Sequence, residues 1–250
     1  MLFRSPVQTP GSFYAGEGPV GPLAAPGDYQ VRLTANGKSE TATLHLAIDP
    51  RIKESAPGIQ KSFELAMQVN KRVSQLHTAI NEIRDTRAQL QALRKRFGSN
   101  ERLQPALGAA DEMEKKMTPV EEKLIQVNMK ASEANLVFPN QLNEEFDTFS
   151  HVIEADSAPT QSQLEVFAVM SGRLDEQLKT WAQIKTDEVA KINDLIKQAD
   201  LPALTVAGAA EPTPSPSPAP PATVPGPSPA ESATPASSAS PAPSSSPASN

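Results

Sequence analysis

Between Ile59 and Phe97 the chain runs for 39 residues without a proline or a glycine, and apolar side chains return at every third or fourth position. Ile59, Phe63, Ala66, Val73, Leu76, Ile80, Ile83, Leu90, Leu93 and Phe97 share one stripe, the 3.6-residue period of an amphipathic helix. At 1.5 Å per residue that helix would be about 58 Å long. A stripe of this length with near-heptad spacing needs partner helices, in a bundle or a coiled coil. Arg94, Lys95 and Arg96 suit the negative end of its dipole, and Gly98-Ser99-Asn100 ends it.

Partners come later in the same chain. A second helical stretch, about Leu103 to Asn135, carries Leu107, Ala110, Met113, Met117, Val120, Leu124 and Val127 in phase. Thr118-Pro119-Val120-Glu121 reads as a capping box with proline at the first helical position, so the helix restarts or kinks there; the unbroken stripe favours a kink. A short helix after Pro139 aligns Leu142, Phe146, Phe149 and Ile153. Thr160, with Gln163 as capping partner, opens a last long helix striped by Leu164, Phe167, Leu174, Leu178, Trp181, Ile184, Ile192 and Leu195, which Leu201-Pro202 ends. Residues 160–199 lack proline and should form one continuous helix.

Ahead of the helices the period is two. Tyr29, Val31 and Leu33 alternate with Gln30, Arg32 and Thr34; Asn36-Gly37 comes next, and Leu44, Leu46 and Ile48 line a return strand stopped by Asp49-Pro50. Asn-Gly supplies the two positive φ angles of a type I′ hairpin turn. A lone hairpin is marginal in water. The proline- and glycine-rich residues 1–27 are expected to be loop with room for one or two strands, far short of the seven of an immunoglobulin-like sandwich. The hairpin therefore reads as the last part of a β-module, and Met1 as a start that is not the polypeptide's natural one.

The far end cannot build a core. From Glu211 to Asn250 there are 13 prolines, with Ser, Ala and Thr nearly everywhere else and Val224 as the only large aliphatic. Such a segment lacks the apolar surface to offset the entropy of ordering it. The expected organisation is α+β, mainly α: a partial β-module at 1–52, an antiparallel helical bundle at 53–205, and a disordered Pro/Ser/Ala tail at 206–250.

A net charge of −6 argues against nucleic acid as partner. No run of about 18 apolar residues could span a membrane. The opening Met1–Pro6 lacks an apolar h-region, so no signal peptide is expected there. The absence of cysteine excludes disulfides and thiolate chemistry without deciding the compartment.

Candidate chemistry is sparse. His45, His77 and His151 are the only histidines, none spaced i, i+4 from another, so they read as structural or solvent-facing rather than as zinc ligands. Glu144, Glu145 and Asp147, with Asp156 beyond, read as the solvated face of an amphipathic helix, since a glycosidase needs two opposed carboxylates on separated elements. Arg84, Arg87, Arg94, Lys95 and Arg96 interleave with Glu82 and Asp85 as a mixed-charge helix face. Met67, Met113, Met117 and Met170 read as core filling. Neither a G-x-S-x-G nucleophile elbow nor a G-x-x-x-x-G-K-[ST] phosphate loop occurs. No catalytic, cofactor-binding or metal residue is assigned.

Two stretches carry a resemblance. Gly21–Gly37 (GPLAAPGDYQVRLTANG), running on to Ile48–Arg51, resembles the end of a β-module in large bacterial proteins that carry sortilin-like BNR (Asp-box) β-propellers and are often labelled glycosyl hydrolases. Asn135–Asn143 (NLVFPNQLN), Ala158–Gln161, Glu165–Phe167, Leu174-Asp175 and the run from Asn193 to Leu201-Pro202 are similar to the helical C-terminus of the same proteins. The likeness covers roughly residues 20–205. It implies export from a bacterial cell and a propeller as protein partner. No S-x-D-x-G-x-T-W Asp-box occurs in the chain, so no catalytic residue carries over. The expectation is a non-catalytic structural or interaction appendage of such a protein. The rivals are a supporting region of a glycosyl hydrolase and an independent coiled-coil oligomeriser.

Overall fold

Ser55 starts the first helix: its Oγ accepts from Gly58 N at 3.2 Å and Pro57 occupies the first turn, where a missing N–H costs nothing. This helix, α1, spans Ala56–Phe97 and closes on Arg94, Lys95 and Arg96. The computed structural model to which it belongs describes residues 3–14 and 16–199. The tail expected at 206–250 and the expected stop at Leu201-Pro202 lie outside the described residues. No helix among the described residues is long and apolar enough to cross a membrane.

The remaining α-helices among the described residues are α2 (Gln104–Leu124), α3 (Leu142–Val152), α4 (Gln161–Ile184) and α5 (Ala190–Gln198). Ion pairs give their directions. Arg84 and Arg87 of α1 meet Glu121, and Arg94 meets Asp111 and Glu114, so α2 returns antiparallel to α1. Ser62 reaches the Ile153 carbonyl and His77 reaches Asn143, so α3 continues that return. Arg72 meets Asp175, and Glu82 meets Trp181 and Lys185, so α4 runs in the direction of α1. The bundle is thus three lanes, up, down and up, with the descending lane split in two. Leu76, Ile80, Ile83, Leu90, Met113, Met117, Leu124, Leu142, Phe146, Leu174, Trp181 and Ile192 fill one continuous core. Each such side chain contributes about 1.5–3 kcal/mol of burial.

The split corrects the expected helix end at Asn135. The chain leaves α2 at Ile125 (φ −143°, ψ 146°), and Val127 of the expected stripe is half-buried in loop. The Glu144 carboxylate explains the break. It accepts from Gln126 N at 3.2 Å and from Gln141 N at 2.9 Å, gathering both ends of residues 125–141. The helix does not restart at Pro119, which lies inside a continuous α2. Its supposed capping partner Glu121 is bound to α1 instead.

The last lane is continuous, as expected, but not uniformly α. Lys185–Val189 forms a π-helical turn between α4 and α5. A π turn adds a residue and rotates the helix beyond it. Ile192 and Ile196 are therefore fully buried, while Leu195 of the expected stripe is only half-buried.

The hairpin forms as expected, from β1 (Gly27–Ala35) and β2 (Lys38–Leu46). Asn36 (φ 50°) and Gly37 (φ 74°) make the turn. The register pairs Tyr29 with Leu44, Val31 with Ala42 and Leu33 with Glu40, so the apolar set shares one face. Residues 3–14 and 16–26 add no further strand among the described residues. Residues 4–10 instead run along α1 as a strap. Phe3 joins hairpin to bundle, its ring 6.3 Å from Tyr29 and 5.1 Å from Phe63. Phe3 N also bonds Pro22 O at 2.8 Å, and only glycine fits beside it: a Cβ on Gly21 would lie 1.8 Å from Phe3 O.

Candidate interaction surface

The hairpin's apolar face divides into a covered base and an open tip. Tyr29, Leu46 and Ile48 are half-buried against residues 3–26 and the bundle, and Tyr29 Oη donates to Ala25 O at 2.6 Å. Beyond them Val31 is 43%, Leu44 42% and Leu33 70% exposed. Among the described residues the sheet has two strands, whose outer edges present backbone groups that no further strand of those residues pairs. The opposite face is polar: His45 and Asp28, cross-strand partners, meet at 2.6 Å, and Gln30 bonds Thr43 at 2.9 Å. At the hairpin's base, between residues 19–26, α1 and the end of α3, lies a half-open cavity of about 420 Å³ with an apolar lining that includes Leu46, Ile48, Phe63 and Val69.

A second concentration of polar groups lies where the strap meets α1 and α3. His77 is fully buried. Its Nδ1 faces Val7 O, and its Nε2 lies 2.7 Å from Asn143 Oδ1, which also accepts from Tyr14 Oη at 3.1 Å. Asn143 Nδ2 in turn donates to Glu144 at 2.9 Å. Burial pushes the Tyr14 phenol above its ordinary value, and the hydrogen bond to Asn143 only partly offsets this. Burial likewise raises the Asp147 carboxyl, with Glu144 adding to the rise and His151 opposing it.

This overturns the solvated-face reading of α3. Asn143, Glu144 and Asp147 are buried, Glu145 is half-buried and held by Arg173 at 2.5 Å, and only Asp156 is exposed. Because α3 lies in the cleft between α1 and α4, it has two packed sides, whereas one-stripe logic allows one. A buried Asn-Glu pair beside a histidine on another helix has no sequence period. The one available signal was Gln141–Glu144, spaced as a cap. The other histidines sit apart: His45 on the hairpin, and His151 half-exposed at 3.9 Å from Asp147. The basic residues separate too. Arg84, Arg87 and Arg94 bind carboxylates of α2, while Lys95 and Arg96 are exposed. Met113, Met117 and Met170 are core, whereas Met67 is 37% exposed and outside it.

Compared with known protein families, curated proteins and solved structures, the chain matches none.

Proposed function

We propose that this chain is a non-catalytic interaction appendage of a larger exported protein, docking through the open tip of its hairpin onto further β-structure. The observation that carries the reading is the exposure of Val31, Leu33 and Leu44 on one face of a two-stranded sheet with open edges. Each apolar side chain left in water forfeits about 1.5–3 kcal/mol, and a hairpin gains independent stability only with more strands or a covered face. Exposed apolar patches with free strand edges suit β-addition by a partner. The resemblance of residues 20–205 to the region after sortilin-like Asp-box propellers suggests such a propeller as that partner. Buried His77, Asn143 and Glu144 engage main chain and one another across α1 and α3, which supports a structural role over catalysis.

The test has two parts. The DNA upstream of Met1 is read for in-frame strands and Asp-box repeats, and the encoded β-domain is co-expressed with the chain. Co-purification is expected, with Leu33→Asp/Leu44→Asp weakening it at least about tenfold. An unrelated upstream gene, or binding indifferent to both substitutions, would sink the reading. Reproducible turnover of aryl glycosides lost on Glu145→Gln would favour the hydrolase reading instead. A dimer in light scattering that Leu33→Asp dissolves would favour a self-associating module.

A further inference from the structure

Five polar side chains of α1 succeed one another at helical spacing, and each holds a main-chain atom of the strap. Asn70 Nδ2 donates to Arg4 O at 3.3 Å. Ser74 Oγ accepts from Val7 N at 3.3 Å, and His77 Nδ1 faces Val7 O. Asn81 Nδ2 donates to Gln8 O at 2.9 Å, and an Arg84 guanidinium nitrogen donates to Pro10 O at 2.8 Å. Positions 70, 74, 77, 81 and 84 are steps of four and three, one line along the helix. The strap runs parallel to α1. From Asn70 to Arg84 the helix rises about 21 Å. Arg4 to Pro10 spans six steps and reaches about 20–22 Å only when nearly fully extended.

We infer that this ladder is a binding site for an extended, proline-spaced polypeptide, read through its carbonyls and occupied in this structure by the chain's own strap. The chemistry of the ladder selects that class. Four of the five strap atoms it meets are carbonyl oxygens and one is an N–H. Proline keeps its carbonyl and lacks the N–H, so a segment spaced by prolines, as Pro6 and Pro10 space this one, presents what the ladder accepts and few donors left over. Extended proline-rich segments also lose less conformational freedom on docking than an ordinary chain. Side-chain selectivity is confined to two points, since Pro6 and Thr9 are buried while Arg4, Ser5, Val7, Gln8 and Pro10 are exposed. Beyond Pro10 the chain folds back, and Tyr14 Oη reaches Asn143 and His77 beside the middle of the ladder. The site needs no particular sequence beyond a proline and a small residue three positions on, and another segment of that kind can replace the strap.

The test starts from the full-length chain with a specific protease site inserted between Gly16 and Glu17, both exposed. After cleavage the strap is held by non-covalent contacts alone. It is expected to co-elute with the remainder on gel filtration and to exchange with a fluorescent synthetic peptide of residues 3–14. Ser74→Ala/Asn81→Ala should weaken that peptide about tenfold, the effect of losing two ordinary hydrogen bonds. Changing Arg4, Val7 and Gln8 in the peptide should leave binding within about threefold, because their side chains make no contact that the ladder reads. A cleaved strap that leaves at once, or ladder substitutions without effect, would overturn the site. Loss of binding on changing Arg4, Val7 and Gln8 would overturn its main-chain character. Should the cleaved protein unfold, the intact chain still decides: Val7 N–H exchange is expected to accelerate in Asn81→Ala while core amides of α1 stay protected, and unchanged exchange would refute the inference.

Discussion

Asp147 has a buried oxygen, Oδ1, with no hydrogen-bond partner among the described residues, and His151 at 3.9 Å is too far to supply one. Desolvation therefore raises its pKa above the usual carboxylate value. A carboxyl whose folded-state pKa is raised binds its proton more tightly in the folded chain. Its contribution is most favourable below the unfolded value of 3.8 and is lost as pH rises through the raised folded value. At pH 7 the ionised group is thus a liability. Asp147→Asn is expected to raise the melting temperature at pH 7 by about 2–4 °C, roughly 1 kcal/mol, with the gain shrinking as pH falls toward 4. Thermal melts of both proteins across that range check this, and a gain that persisted at pH 3.5 would contradict the assignment. The glycine at position 21 and the Asn36-Gly37 pair are residue-scale requirements of a different sort. The turn was legible because positive φ at two adjacent positions has a sequence signature. The close approach at Gly21 was not, because it depends on where Phe3 lies.

Between elements, the seam of α1 and α2 is held by a carboxylate that the sequence pattern assigned to a cap. Glu121 is 5% exposed and receives Arg84 at 2.8 Å and Arg87 at 2.5 Å. Removing Glu121 leaves Arg84 with the Pro10 carbonyl at 2.8 Å and Arg87 with Glu114 at 3.6 Å, so each guanidinium loses its nearest carboxylate but keeps a weaker partner. Both are partly solvated, so the cost falls below that of a fully buried pair. Glu121→Ala should lower stability by about 1–3 kcal/mol in urea unfolding, and a loss below about 0.5 kcal/mol would show that the pair contributes little. Helix boundaries were legible where a local cap decides them, as at Thr160, whose Oγ1 accepts from Gln163 N at 3.2 Å. They were not legible at Leu124, where the stopping group, Glu144, is contributed by another helix. The π turn at Lys185–Val189 was also invisible, since apolar residues occur at positions suiting either phase.

At the scale of the whole molecule, one core joins all three lanes, and the strap crosses from α1 to α3 through Tyr14, His77 and Asn143. Trp181, the only tryptophan, is 2% exposed and donates to Glu82 of α1 at 2.7 Å. The loss of its near-ultraviolet dichroism and the loss of helical far-ultraviolet signal should share one midpoint, within about 2 °C. Separate transitions would mean that α4 detaches from α1 before the helices melt.

By itself the sequence determined the mainly helical class, the hairpin with its register and shared apolar face, and the membership of most core stripes. Each of these comes from short-range periodicity or from a residue type with one conformational use. Tertiary structure alone decided that residues 4–10 form a strap rather than a strand, and that the descending lane breaks at Ile125. It also decided that Asn143, Glu144 and Asp147 are buried and that the tip of the hairpin stays open. These outcomes turn on groups far apart in sequence, whose burial and pairing arise only when helices from separate stretches meet, so no local period encodes them.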